Sequence, residues 1–167
     1  MLIREEVPGD IDAIAELNRT TFSGDYEADL IARLRADGLV IASLVALARA
    51  KIVGHILFSL LPAEMDGRTI RAAALAPMAV QPDLQNQGIG SKLVEEGLKA
   101  VRERSFDGVI VLGHPAYYPR FGFSAELARR LAAPFSGEAL MALELMPGAL
   151  DGSMGSVSYP AAFGLET

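Results

Sequence analysis

The chain has 167 residues, no cysteine, two histidines and a formal net charge of -6 at pH 7. That length suits one domain able to bury a core unaided, and the missing thiols exclude disulfides, thiolate metal sites and a cysteine nucleophile together. His55 and His114 cannot by themselves build a zinc cage, and the acidic balance speaks against nucleic acid, which needs a basic face.

Met1-Leu2-Ile3-Arg4-Glu5-Glu6 carries charges where a signal peptide needs an apolar core, so no targeting segment and a cytoplasmic setting are expected. Residues 2–7 read as a first strand, with Pro8-Gly9-Asp10 as its stop and a helix cap. Ile11, Ile14, Ala15, Leu17 and Phe22 then recur at helical spacing. A second helical pattern, Tyr26, Leu30, Ile31 and Leu34, ends at Asp37-Gly38, where glycine suits a left-handed cap.

Residues 41–48 and 52–61 have the β-branched and aliphatic content of paired strands, joined around Arg49-Ala50-Lys51. Arg49, Lys51 and His55 break the apolar stretch 39–61 into pieces too short to span a membrane, so a buried hairpin is expected. Asp66-Gly67 is a turn signal, and 69–80 reads as another strand. Pro77 lies inside it and cannot donate to a ladder, which predicts a bend there.

After Gln81-Pro82-Asp83 comes Gln85-Asn86-Gln87-Gly88-Ile89-Gly90-Ser91, followed by a helix over about 89–104. Ile89, Leu93, Val94, Leu98 and Val101 fall on one face, opposite Lys92, Glu95, Lys99 and Glu103. Asp107-Gly108 then turns into the apolar strand 109–112. Strand, glycine turn, helix and strand form a βαβ unit, which predicts a parallel pair with a right-handed crossover. Beyond Gly113 short strands alternate with proline and glycine, including one at 139–146.

Two glycines where a strand passes into a helix let backbone come close to a ligand, and the free N–H groups of a helix start attract an anion. The dinucleotide fingerprint G-x-G-x-x-G fails because position 93 is Leu93, and no G-x-x-x-x-G-K-[ST] is present. The run Met78-Ala79-Val80-Gln81-Pro82-Asp83-Leu84-Gln85-Asn86-Gln87-Gly88-Ile89-Gly90-Ser91-Lys92-Leu93 resembles the acetyl-CoA motif of the GNAT superfamily of N-acetyltransferases. That motif is a strand ending in apolar-x-Val, then [QR]-x-x-G-x-[GA]. Tyr117-Tyr118-Pro119-Arg120-Phe121-Gly122-Phe123 resembles the superfamily's second landmark, an aromatic helix followed by x-G-F. Gly113-His114-Pro115 and the stretch 145–150 are similar to its YhbS-like bacterial subgroup.

The resemblance implies an α/β (α+β) fold: a mixed, mostly antiparallel central sheet with a splayed parallel pair and flanking helices, in one domain over 1–167. It implies an N-acetyltransferase with acetyl-CoA as co-substrate and a small-molecule or peptide amine as acceptor, attacked directly in a ternary complex. Neither nucleic acid nor membrane is expected as a partner, and a homodimer stays open. By the same resemblance the Met78 N–H holds the oxyanion and Val80 pairs the pantetheine amide. Gln85, Asn86, Gln87, Gly88, Ile89, Gly90, Ser91 and Lys92 hold the pyrophosphate, and Tyr118 protonates the departing thiolate.

Two departures stand out. Gln87 occupies a position that is often arginine in the family, with Lys92 and Arg120 as candidates to replace the charge. The stretch Arg71-Ala72-Ala73-Ala74-Leu75 lacks the glutamate some members use as base, which leaves the base unassigned and His114 and Glu144 open. It also keeps a rival reading alive, a non-catalytic acyl-CoA-binding sensor or regulatory module. His55, amid an apolar strand, reads as a satisfied core histidine.

Overall fold

The structure, a computed structural model, describes residues 1–135 and 137–165. The chain forms two compact units, Met1–Ser59 with Ala76–Ala100, and Leu60–Leu75 with Val101–Thr167.

The first unit contains β1 (Leu2–Glu5), α1 (Ile11–Phe22), α2 (Tyr26–Ala36), β2 (Val40–Ala48), the start of β3 (Lys51–Met65), the end of β4 (Arg68–Val80) and most of α3 (Ile89–Glu103). Its strands β1, β2 and β3 pair antiparallel. Asp10 precedes α1 as expected, but its carboxylate accepts the Val7 N–H and the Arg4 guanidinium rather than capping helix N–H groups. At the end of α2, Leu39 N–H reaches the Leu34 carbonyl at 3.0 Å and Gly38 N–H the Arg35 carbonyl at 3.1 Å. With Gly38 at φ +69° this is the left-handed closure that Asp37-Gly38 announces. Arg49 and Ala50 form the two-residue β2–β3 turn, both left-handed although neither is glycine.

Both faces of this part of the sheet are covered, which explains why β2 and β3 read as continuous apolar runs rather than alternating ones. A side chain at Gly54 would meet Leu93 and Ile89 of α3, whereas the next residue, His55, meets Asn18 of α1. Helix α3 comes so close to β3 that a Cβ on Gly97 would lie 2.3 Å from the Phe58 ring.

In the second unit, β4 pairs parallel with β5 (Gly108–Leu112), as the βαβ pattern predicts. Downstream lie α4 (Ala125–Ala128), β6 (Leu131–Ala132), β7 (Leu140–Glu144) and β8 (Gly155–Val157). β7 pairs antiparallel with all of β5, while β8 pairs antiparallel with β3 and parallel with β6. The main strand order is β1-β2-β3-β4-β5-β7, a mixed, mostly antiparallel sheet. β4 and β5 pair only from Ala72 with Gly108 to Ala74 with Ile110, although β4 runs on to Val80 and β5 to Leu112. The expected parallel pair is thus present, with its pairing confined to the start of β5.

Asp66 and Gly67 make the β3–β4 turn with positive φ at both residues, the geometry of a tight hairpin. The Asp66 carboxylate accepts the N–H groups of Met154 and Ser153, which holds its pKa below the usual carboxylate range. Arg68 donates to the carbonyls of Ala149 and Asp151. The hairpin end thus clasps the loop before β8. No helix among the described residues is long and apolar enough to cross a membrane.

Candidate active site

The glycine segment lies between the end of β4 and the start of α3. Pro82–Leu84 form one 3-10 turn, Gln85 is extended, and Asn86 and Gly88 take left-handed φ values of 64° and 90°. A Cβ on Gly88 would meet nothing within 4 Å, so conformation rather than crowding asks for glycine there. Residues 85–88 are exposed, and buried Ile89 pins the start of α3. At the start of α3 the Lys92 N–H bonds the Gly88 carbonyl at 3.1 Å.

The first turn of α3 carries Lys92 and no acid. A cation at a helix start opposes the dipole, where acids are the usual choice. The first turn therefore supplies no acid of its own to the positive end, which suits it to an anion. Lys92→Gln should accordingly act with opposite signs: helix stability rises by about 0.3–1 kcal/mol while affinity for a polyphosphate ligand falls. Urea titration and calorimetry with CoA measure the two. Unchanged affinity would place Lys92 outside the site.

Strand β4 changes its bonding edge between its two ends. Arg71 N–H and carbonyl both bond Asp107, just before β5, at 2.9 and 2.7 Å. Gln81 N–H instead bonds the Val53 carbonyl of β3 at 2.8 Å. Residues an even number apart should share an edge in a regular strand, so a one-residue irregularity lies between them, and Pro77 sits in that interval. Counting back from Gln81, the N–H groups of Val80 and Met78 alternate away from β3. The Val80 carbonyl accepts the Gln85 side-chain amide at 3.0 Å and the Thr21 hydroxyl at 3.4 Å. Gln85 therefore turns its side chain back onto β4, while its N–H closes the 82–84 turn on the Pro82 carbonyl at 3.5 Å.

In the second unit, the landmark 117–123 is a 3-10 turn over Tyr118–Phe121 rather than an α-helix, closed by Gly122 at φ +101°. Tyr118 is 7% exposed and meets Tyr117 and Phe123 edge to face at ring separations of 5.1 and 5.6 Å. A Cβ on Gly113 would lie 2.4 Å from this ring, so glycine at the end of β5 makes its seat. Burial, with Tyr117 adding, pushes the Tyr118 phenol up to about 12. Arg120 stacks over Tyr117 at 4.5 Å and donates to its carbonyl. His114 is exposed, and its carbonyl accepts Tyr117 and Tyr118 N–H groups. Glu144 is half-buried, with Oε2 accepting Leu150 N–H at 2.8 Å, which ties it to the turn after β7.

His55 is fully buried in a polar chain through the first unit. Its Nε2 lies 2.9 Å from Ser43 Oγ and its Nδ1 3.4 Å from the Asn18 amide. Ser43 donates to Glu6, which Arg35 of α2 also binds through both guanidinium arms. Sequence reasoning anticipated the buried histidine but missed its partners and Thr21. The available signal was Asn18, a polar residue on the apolar face of α1 that shares that face with Ile14 and Leu17.

Burial, and secondarily the charge of Arg35, lowers the His55 pKa from 6.5 to about 3. The folded state thus binds fewer protons than the unfolded chain below pH 6.5, and stability is full above that value and lost as pH falls. The expected slope is about 1.4 kcal/mol per pH unit, or about 2 kcal/mol between pH 6.5 and 5. Urea midpoints across that range should show this slope in wild type and lose it in His55→Gln. An equal slope in both would assign the effect to other groups.

Among the described residues, no group of three or more His, Cys, Asp or Glu side chains is placed to hold a metal ion.

The profile of the Acetyltransferase (GNAT) family matches residues 11–123. The chain is 37% identical over 166 residues to the uncharacterized N-acetyltransferase YhbS of Escherichia coli (strain K12), covering 98% of each. The crystal structure of the GNAT family N-acetyltransferase YhbS from Escherichia coli in complex with CoA is similar at a TM-score of 0.88 and 35% identity, over 98% of this chain and 92% of that one. A GNAT family acetyltransferase from Brucella melitensis, in complex with acetyl-CoA, is similar at 0.79 and 33% identity, over 97% of both chains.

Proposed function

The chain belongs to the acetyltransferase (GNAT) family, and from that premise we propose that it binds acetyl-CoA and transfers the acetyl group to a primary amine by direct attack in a ternary complex. The observation that carries this reading is the start of α3, whose first turn has Lys92 and no acid, beside an exposed loop with left-handed Asn86 and Gly88. Two relatives of similar fold hold CoA and acetyl-CoA.

In this mechanism the segment from Gln85 to Lys92 receives the pyrophosphate, with Lys92 supplying the charge that Gln87 does not. Val80 pairs the pantetheine amide. The Met78 N–H receives the oxyanion of the tetrahedral intermediate, a preorganised donor where charge develops. The attacking nitrogen forms its bond to the acetyl carbon and loses a proton to water, and the C–S bond breaks as Tyr118 donates to the sulfur. β4 carries no carboxylate and Glu144 Oε2 accepts the Leu150 N–H, which supports water as proton acceptor, with exposed His114 the alternative.

That lack of a carboxylate also supports the second reading, a non-catalytic acyl-CoA sensor. A thiol-release assay with acetyl-CoA over a library of primary amines separates the two. An enzyme frees CoA in proportion to acetylated amine, whereas a sensor binds acetyl-CoA without release. Failure of wild type to bind CoA in calorimetry would overturn both.

β3 and β4 each contribute residues to both compact units, which supports one domain over 1–167. The absence of cysteine supports a cytoplasmic setting.

A further inference from the structure

The polar chain in the first unit has a single direction. The Glu6 carboxylate only accepts, taking the Ser43 hydroxyl proton and both arms of Arg35. With its one proton engaged, Ser43 accepts from His55 Nε2–H. The imidazole is thereby the Nε2–H tautomer, and its Nδ1 lone pair faces an Asn18 amide N–H. The other amide N–H of Asn18 reaches the Ile14 carbonyl at 2.9 Å.

Among the described residues Asn18 Oδ1 has no partner, although Asn18 is fully buried. An orphaned buried acceptor is costly, yet the opposite amide orientation would set oxygen against both the Ile14 carbonyl and the Nδ1 lone pair. Asn18 is thus held by its two donor bonds. Three residues on, along the same face of α1, Thr21 donates to the Val80 carbonyl at the end of β4.

We propose that Asn18, Ser43 and His55 are positioning residues for the cofactor edge of β4: they seat α1 on the sheet so that Thr21 holds the strand end at Val80 where it pairs an amide of the acyl carrier. This rests on the reading of Val80 given under the proposed function. Gln85 holds the same carbonyl from the loop, so loss of Thr21 loosens the strand end without freeing it.

The test is CoA affinity by calorimetry on the full chain. His55→Gln retains an N–H for Ser43 but removes the acceptor facing Asn18, and it should weaken CoA roughly three- to tenfold, as should Thr21→Val. The double variant His55→Gln/Thr21→Val should be no weaker than either single one, because both act through one contact. His55→Asn keeps an acceptor near the place of Nδ1 and should recover much of the affinity. A purely structural role would lower the melting temperature of every variant, leave CoA affinity unchanged and so overturn the proposal, as would multiplicative losses in the double variant. Should the His55 variants not fold, ¹⁵N spectra of wild type decide: Nε2 protonated and Nδ1 bare between pH 5 and 8 is expected, and the opposite tautomer refutes the chain. Wild type that fails to bind CoA would sink the functional reading, whereas intact binding that the variants do not alter would sink only this inference.

Discussion

Replacing Tyr118 with phenylalanine should lower kcat by about 10²-fold, close to 3 kcal/mol of barrier, while CoA affinity and melting temperature stay near wild type. The ring is nearly buried, seated over Gly113 and held edge to face by Tyr117 and Phe123, and phenylalanine keeps all of that. Only the hydroxyl is lost. With its pKa pushed up to about 12, the phenol is protonated throughout the working range. A thiol titrates near 8.5, so complete transfer from the phenol to a free thiolate is uphill by about 5 kcal/mol. The hydroxyl therefore works best as a hydrogen-bond donor to sulfur while the C–S bond stretches, which argues for the low end of the usual 10²–10⁴ range for acid catalysis. Turnover of an acceptor that wild type acetylates decides the matter: an unchanged kcat means the ring only packs.

Gly90→Val should weaken CoA by roughly 10- to 100-fold, the equivalent of losing charge-assisted hydrogen bonds of about 1.5–3 kcal/mol. Gly90 is the second residue of α3, on the turn whose N–H groups face the proposed pyrophosphate, and a branched side chain there obstructs the approach of phosphate to backbone. Helix propensity does not oppose the change, because valine replaces the poorer helix former. Calorimetry should show a folded protein with weak binding. Wild-type affinity in that variant would remove the helix start from the site.

Local chemistry made much of this fold legible in the sequence. Asp37-Gly38 and Asp66-Gly67 close a helix and a hairpin with left-handed residues, and the glycine turn before Ile89 yields the parallel β4–β5 pair. Arg49-Ala50 is legible only as a break in apolar pattern, since the turn adopts positive φ without glycine. β3 runs on to Met65 past the expected end at 61, because its tail alternates buried and exposed residues around Pro62 and Glu64. β6 and β8 have two and three residues, too few to show a period.

The candidate site divides along the same line. Residues 78–92 are contiguous, so their loop and helix start could be read together. The chain Glu6, Asn18, Arg35, Ser43 and His55 is scattered over five segments, and only the fold assembles it. The Glu144 carboxylate looked free because nothing in sequence shows that the turn after β7 brings Leu150 N–H to it.

The change of bonding edge along β4 gives this strand a reading frame. Between Arg71, which bonds towards β5, and Gln81, which bonds towards β3, one added or deleted residue would rotate everything downstream by half a repeat. Val80 and Met78 would then turn their N–H groups onto β3, and the N–H of Ala79 would take the open edge. Related chains can therefore exchange side chains across this interval far more freely than they can change its length, and gaps in an alignment should be absent between positions 71 and 81 even where identity is low.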